Sequence, residues 1–421
     1  MTLTMPQTDR PYHDIDISSW GFWTRPFNER DVSFAKLRRE PSPTWHRPIE
    51  PGYPHGEPGF WAMTRHEDIT YVSKHHELFS SAQTGDVSVS PLPPNDVDMT
   101  SLFLIMDPPR HTLYRRIISS AFTPKYLARL RDKIEKDAAE IVDAMIGAGE
   151  IDFVKACAMH LPMRTVSDLI GISEKRREPV AQAAEAMFAA TDPEEFDSGE
   201  EDIMSYIGRQ VGVLHAAAIE VANDRRQNPQ DDLITMIVQA EVDGQRMTDQ
   251  EIGAFMVLLS TAGNDTTKQT TTQTMLALSR NPDQAAWLLE DYDARIGGAI
   301  EEFLRYVSPI QCFARIAVED TEIRGAQIKK GDKVAMFYNS GNRDEKVFDR
   351  ADEFILSRDP NPHVSFGGGG IHYCLGNQIA KMQMKALFRQ ILTKAPHMQV
   401  GEPVYLTSIM MHGIKRLPVT V

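Results

Sequence analysis

Apolar residues recur at spacings of three and four between Thr123 and Gly147. Leu127, Leu130, Ile134, Ala138, Ile141 and Met145 form one stripe, which predicts an amphipathic helix. Thr123 can cap it, Pro124 suits its first position and Gly147 can stop it. A second helix starts at Thr248 and Glu251, spaced as a capping box. Apolar residues fill Ile252 to Leu259, and helical character persists to about Arg280, a length of roughly 45–50 Å at helical rise. Leu375, Ile379, Met382 and Ala386 predict a third helix in LGNQIAKMQMKALF. Strand character gathers in two places. One is GFWAMT, residues 59–64, after which Thr64 and Glu67 are spaced as another capping box. The other is CFARIAVEDTEIRGAQIKKGDKVAMFY, residues 312–338, where short alternating runs are broken by Arg-Gly and Lys-Gly turns. Helices and strands segregate instead of alternating, so the expected class is α+β, mostly α-helical. No repeat, low-complexity tract or linker divides the chain, so one domain over residues 1–421 is expected. SPLPPND, residues 90–96, reads as a long surface or lid loop.

The middle of the second helix breaks its own rule. It reads STAGNDTTKQTTTQT, residues 260–274. A glycine costs about 1 kcal/mol against alanine inside a helix, and clustered threonines are unfavourable too. Conflict between local preference and long-range pattern marks candidate functional sites. One reading is a locally opened turn: Gly263 lets a flat or small group approach the backbone, Thr266 offers a hydroxyl, and Asp265 a carboxylate able to relay protons. The plainer reading is a polar, solvent-facing stripe with an incidental glycine.

FGGGGIHYCLG, residues 366–376, sets one of only three cysteines behind four glycines. The glycines do not match a dinucleotide-binding fingerprint, and a lone buried cysteine is ordinarily a small hydrophobe. However, Cys374 stands just before a predicted helix, whose N-terminal dipole and free N–H groups stabilise a thiolate. The glycines would let the backbone approach a large flat group and point N–H groups at the sulfur. A thiolate so held suits a metal with one axial protein ligand, the known chemistry of haem iron bound by cysteine.

Composition narrows the class. Of 421 residues 42% are hydrophobic and 25% charged, and the formal net charge of −14 disfavours wholesale nucleic-acid binding. The N-terminus lacks the pattern of a signal peptide, and no run approaches the roughly 18 apolar residues of a membrane span. Cys157, Cys312 and Cys374 are odd in number and widely spaced, which argues against a disulfide framework or a cysteine-rich zinc site and for a reducing cytoplasm. Core packing is the expectation for Cys157 and Cys312, although Cys312 could face a pocket.

Taken together, these segments resemble the cytochrome P-450 family. Residues 366–376 look like its haem-binding signature, and AGNDTT, residues 262–267, like its oxygen-activating helix motif. Glu302-Phe-Leu-Arg305 resembles its Glu-x-x-Arg pair. DPPRHTLYRR, residues 107–116, resembles the segment carrying a propionate-binding His-x-x-x-Arg. GNRDEKVF and PNPHVSFG fit the stretch leading into the haem loop. The likeness covers essentially the whole chain, with the motifs in order. Phe366 lies eight places before the cysteine where the commonest signature has seven. This extra glycine resembles actinobacterial enzymes acting on methyl-branched lipids, sterols and terpenoids.

The resemblance implies a P-450 fold with a small β-rich region and haem b as cofactor. Cys374 would be the axial metal ligand, and His111, Arg115, Arg315 and His372 would hold the propionates. Asp265 and Thr266 would deliver protons as catalytic residues. Glu302 and Arg305 would be a buried structural pair. The implied activity is a monooxygenase acting on an apolar, methyl-branched lipid or terpenoid, or a sterol, at or near a terminal methyl. A separate ferredoxin and NAD(P)H-dependent reductase would supply electrons, since little chain follows the Cys374 helix. Arg115, Arg116, Lys125, Lys381 and Lys385 could form a docking patch. A monomer without stable membrane insertion is expected. The rival readings are a peroxide-driven peroxygenase and a haem sensor or carrier without turnover; the acid–alcohol pair argues against both. Val89, Leu92, Val97, Met99, Leu102, Phe103 and Ile105, with Ile409, Met410 and Met411, are candidates for an apolar, adaptable pocket lining.

Overall fold

The computed structural model describes residues 10–50, 58–84, 89, 102–119, 124–196, 201–242 and 244–421. Helices dominate, and the strands form one five-stranded sheet and several sheets of two or three strands. The run from residue 312 gives strands Cys312–Ala317, Thr321–Ile323, Ala326–Ile328 and Lys333–Phe337. Gly325 and Gly331 turn between them at φ of 85° and 89°, where other residues are strained. Lys333–Phe337 pairs antiparallel with Cys312–Ala317 and parallel with Phe60–Met63. Thr44–His46 and Phe79–Ser80 complete a five-stranded sheet at its two edges. Alternation along Cys312–Ala317 sends Phe313 and Arg315 to the face that lines the central cavity. Cys312 takes the opposite face, buried in the cluster that holds Phe22, Phe34 and Phe337. It therefore does not face the pocket. Cys157 is core, as expected.

The helix Pro124–Met145 forms on the predicted stripe, with Ile134, Ala138, Ile141 and Met145 buried; Thr123 lies outside the described residues. The second predicted helix runs Asp249–Arg280 for 32 residues. Its capping box is made in both directions: Thr248 Oγ1 accepts from the Glu251 N–H at 3.2 Å, and Glu251 Oε2 accepts from the Thr248 N–H at 2.8 Å. At Thr64 the second predicted box does not form. The helix there is His66–Lys74 with Arg65 at its cap, and Asp344, far away in sequence, accepts the His66 N–H at 2.9 Å. A tertiary carboxylate has replaced the local cap.

Neither reading of the threonine-rich segment survives unchanged. The helix continues through Gly263 as α-helix. Its polar residues other than Thr266 are buried, not solvent-facing. Thr261, Thr270 and Thr272 hydroxyls donate to the carbonyls four residues back at 2.8, 2.8 and 2.9 Å. Gln269 exchanges two bonds with the backbone of Ile414, and Gln273 donates to the His412 carbonyl at 2.7 Å. Gly263 serves close helix packing, since a Cβ there would lie 2.6 Å from Val166 of the helix His160–Ile170. No helix among the described residues is long and apolar enough to cross a membrane.

Candidate active site

A cavity of about 470 Å³ lies between the long helix and the cysteine loop. Cys374, Phe366 and Tyr373 border it from the loop; Ala262, Gly263 and Thr266 border it from the helix. Gly367 to Gly370 all take positive φ, at 101°, 69°, 100° and 73°. They let the loop fold against the end of the His66–Lys74 helix. A Cβ at Gly370 would stand 1.9 Å from the Ser73 carbonyl oxygen. The loop closes when the Cys374 N–H donates to the Phe366 carbonyl at 3.0 Å.

The N–H groups that bear on the sulfur come from the other side. Burial pushes the Cys374 thiol up, while the backbone N–H of Gly376, the Arg115 charge and the Asn377 N–H pull it down. Gly376 caps the helix Asn377–Lys394, so the helix start supplies these donors and the glycine run shapes the loop. Burial wins in the protein alone. A cation at the sulfur would tip the balance to thiolate.

Two histidines and two arginines converge beside the loop. The His111 and His372 rings lie 4.3 Å apart. His111 Nε2 and His372 Nδ1 are buried and find no hydrogen-bond partner among the described residues, while Ser81 Oγ lies 3.0 Å from His372 Nε2. Burial first, then Arg115, lowers His111 to about 4. Burial first, then Arg315, His111 and Arg115, lowers His372 to about 2. Arg115 donates to the Tyr373 carbonyl at 2.6 Å and Arg315 to the Ala314 carbonyl at 2.7 Å. Arg115, Arg315 and His372 border the cavity, and His111 stands behind them. Such a concentration of unspent donors is costly unless anions complete it.

The acid and the alcohol part company. Thr266 borders the cavity, its hydroxyl donating to the Ala262 carbonyl at 2.9 Å. Asp265 is not among the lining residues. Its Oδ1 lies 2.6 Å from Lys268 Nζ, which also meets Glu185 at 2.5 Å. Asp265 Oδ2 is buried without a partner among the described residues. Burial raises the Asp265 carboxyl, and Lys268 offsets only part of the rise.

Comparison with known proteins then decides the family. The family described as Cytochrome P450 matches residues 202–395. The methyl-branched lipid omega-hydroxylase of Mycobacterium tuberculosis is 36% identical over 423 aligned positions, covering 99% of this chain and 96% of that protein. The chain belongs to the cytochrome P450 family. It is a P450 monooxygenase, as the resemblance implied. A steroid C26-monooxygenase of Mycolicibacterium smegmatis is 37% identical, over 86% of this chain and 83% of the relative. The solved structure of Mycobacterium marinum cytochrome P450 CYP268A2 in complex with pseudoionone has a TM-score of 0.94 at 43% identity, covering 99% and 100% of the two chains.

P450 membership implies a haem-iron cofactor, and the residues present fit one. Cys374 offers a soft sulfur donor at the cavity edge. The orphaned imidazole nitrogens and part-used guanidiniums match a group that brings carboxylates.

Sequence reasoning missed much of the cavity wall. Met187 and Phe188 come from the helix Glu174–Ala189, and Ile203, Ile207 and Val211 from the helix Ile203–Gln227. The spacing of four in the last three was a legible stripe. Ser81 carried no sequence signal. Among the proposed lining residues, Leu102, Phe103, Ile409 and Met410 border the cavity. Val89, Ile105 and Met411 are buried but do not border it. Leu92, Val97 and Met99 lie outside the described residues.

Proposed function

We propose that this P450 hydroxylates an apolar, methyl-branched lipid or terpenoid, with sterols as bulkier candidates, at or near a terminal methyl. The observation that carries the reading is the apolar part of the cavity wall, where Met187, Phe188, Ile207, Val211, Val257 and Leu258 present hydrocarbon. Thr165, Thr261 and Thr270 border the same space, but their hydroxyl protons are committed to backbone carbonyls at 2.8 Å. An apolar ligand gains about 25 cal/mol per Å² buried there, and bulk rather than charge pairing would orient it. The named relatives, acting on methyl-branched lipids and steroids, support the same class.

The cofactor in this reading is haem b within one domain spanning 1–421, ligated by Cys374, with His111, Arg115, Arg315 and His372 around its carboxylates. The chemistry it supplies when bound is insertion of one atom of O2 into a C–H bond, the other leaving as water with two electrons and two protons. Thr266 Oγ1 holds a proton at the cavity surface. Asp265, one residue earlier, is the acid that resupplies it. A separate ferredoxin with its reductase brings the electrons to a monomeric enzyme in the cytoplasm. Of the residues expected in a docking patch, Arg116 is exposed, whereas Lys381 is engaged by Glu301 at 2.6 Å.

The test is spectral titration with a methyl-branched fatty acid and an acyclic terpenoid beside a small polar aromatic, followed by product analysis. Tight shifts and terminal hydroxylation are expected only with the branched chains. A response confined to the aromatic would sink the substrate class. Turnover with NADH, ferredoxin and reductase should exceed turnover with peroxide alone. Cys374→Ala should erase the thiolate-type band of the reduced carbonyl complex, and an unchanged band would refute the ligand.

A further inference from the structure

Phe366 opens the cysteine loop, and its ring is gripped from three directions. Lys381 Nζ lies over it at 5.4 Å from the centroid. The His363 ring stands 5.7 Å away, and Tyr373 meets it edge-on at 6.1 Å. One carboxylate holds the first two: Glu301 accepts from Lys381 Nζ at 2.6 Å and from His363 Nε2 at 2.9 Å. The imidazole tautomer is set by Ser365, whose N–H donates to His363 Nδ1 at 3.2 Å. The proton of a neutral ring therefore sits on Nε2, facing Glu301. Burial pushes the Glu301 carboxyl up, but the bonds from His363 and Lys381 bring it below its ordinary range, so it stays ionised.

The grip joins three parts of the chain. Glu301 belongs to the helix Tyr292–Val307, His363 to the segment before the loop, and Lys381 to the helix that follows the cysteine. On its inner side Phe366 accepts the Cys374 N–H at 3.0 Å, and Cys374 packs against the apolar cluster that contains Phe366.

We propose that Lys381, fixed by Glu301 and His363, is a positioning residue for the cysteine ligand. Its charge over the Phe366 face holds the ring in place. The ring, with its carbonyl on the Cys374 N–H, keeps the sulfur oriented and screened from water. A group that shields a metal ligand and directs its hydrogen bonds sets both ligand stability and potential. The inference rests on Cys374 as the haem ligand.

The experiment uses the full-length, haem-loaded protein and its Lys381→Met, Lys381→Arg and Glu301→Gln variants. The parent's thiolate-type band in the reduced carbonyl complex is recorded first; a parent without it refutes the ligand reading itself. The rate at which that band converts to the thiol type is then followed, with the reduction potential and melting temperature. Lys381→Met should convert roughly three- to tenfold faster and shift the potential, the loss of one partly desolvated cation–π contact. Lys381→Arg should restore most of both, and Glu301→Gln should fall between. A thiolate-type parent whose Lys381→Met variant matches it in rate and potential would overturn the proposal. So would changes that merely follow melting temperature and are not rescued by arginine. Should Lys381→Met fail to fold, Glu301→Gln decides: a parent-like rate and potential overturn the proposal, and faster conversion with a shifted potential supports it.

Discussion

Glu302 and Arg305 face each other through two parallel bonds, at 2.7 and 2.8 Å, with no side-chain surface exposed on either. Every remaining direction is also used. Arg305 donates to the carbonyls of Asn342, Ala351 and Glu353, while Glu302 accepts from the Ile355 N–H, Arg358 and Asn361. The pair ties the helix Tyr292–Val307 to the irregular segment that feeds the cysteine loop. Breaking a buried pair by removing one partner costs about 3–5 kcal/mol. Arg305→Leu should lose that much in urea unfolding. Adding Glu302→Leu should not restore it, because the Asn342 and Ala351 carbonyls stay without Arg305 and the Ile355 N–H and Asn361 amide then lose their acceptor too. Recovery in the double variant would show the network to be dispensable.

A methyl at Gly370 should have a more local effect. With φ at 73° and the Ser73 carbonyl 1.9 Å from the new Cβ, the loop must move. The left-handed conformation alone costs an L-residue about 1–2 kcal/mol. Gly370→Ala should reduce the haem-loaded fraction on purification. Full loading with a parent-like thiolate-type spectrum would contradict this.

Thr266→Ala should keep haem loading and uncouple electron use from product, measured as peroxide formed per NADH oxidised. The helix itself should tolerate it, because the hydroxyl only adds a bond to the Ala262 carbonyl. Asp265→Asn should instead slow turnover, on the order of a hundredfold for a lost proton donor. Unchanged coupling in the first, or unchanged turnover in the second, would remove the residue from the proton route.

His412 couples stability to acidity. Its Nδ1 lies 2.7 Å from the Val307 carbonyl, and its ring stacks on Phe27 at 4.4 Å. Burial, then the Arg30 charge, lowers it from 6.5 to about 3. The folded protein thus disfavours the proton that the unfolded chain binds below about pH 6.5. This stabilisation is complete above that pH and is lost progressively as pH falls toward 3. One such histidine contributes a slope of up to about 1.4 kcal/mol per pH unit. His412→Gln should lower overall stability and flatten the decline between about pH 6 and pH 4. A slope equal to the parent's would place the acid sensitivity elsewhere, with the similarly buried His46 as the next candidate.

The strands from residue 312 and the long helix were legible because their signals are local: alternation, turn glycines and a capping box. The cysteine loop was legible as a motif. What the sequence hid is relative direction. Asp265 and Thr266 read as one catalytic unit, but neighbours on an α-helix point roughly 100° apart. One therefore faces the cavity while the other turns to Lys268 and Glu185. The threonine run looked like a defect because its remedy lies partly in the strand Gly413–Arg416, far along the chain. The Thr64 cap failed for the same reason, when a distant aspartate supplied a better acceptor.

The four donors beside the cysteine loop have a consequence beyond catalysis. Among the described residues His111, His372, Arg115 and Arg315 meet few acceptors, so the polypeptide alone would carry a penalty that a carboxylate-bearing guest would remove. Whatever binds only the folded form raises its stability by mass action. Newly made chains that outrun the cell's iron and porphyrin would be the first to open and be degraded. The abundance of this enzyme would then follow the cell's supply of iron and porphyrin.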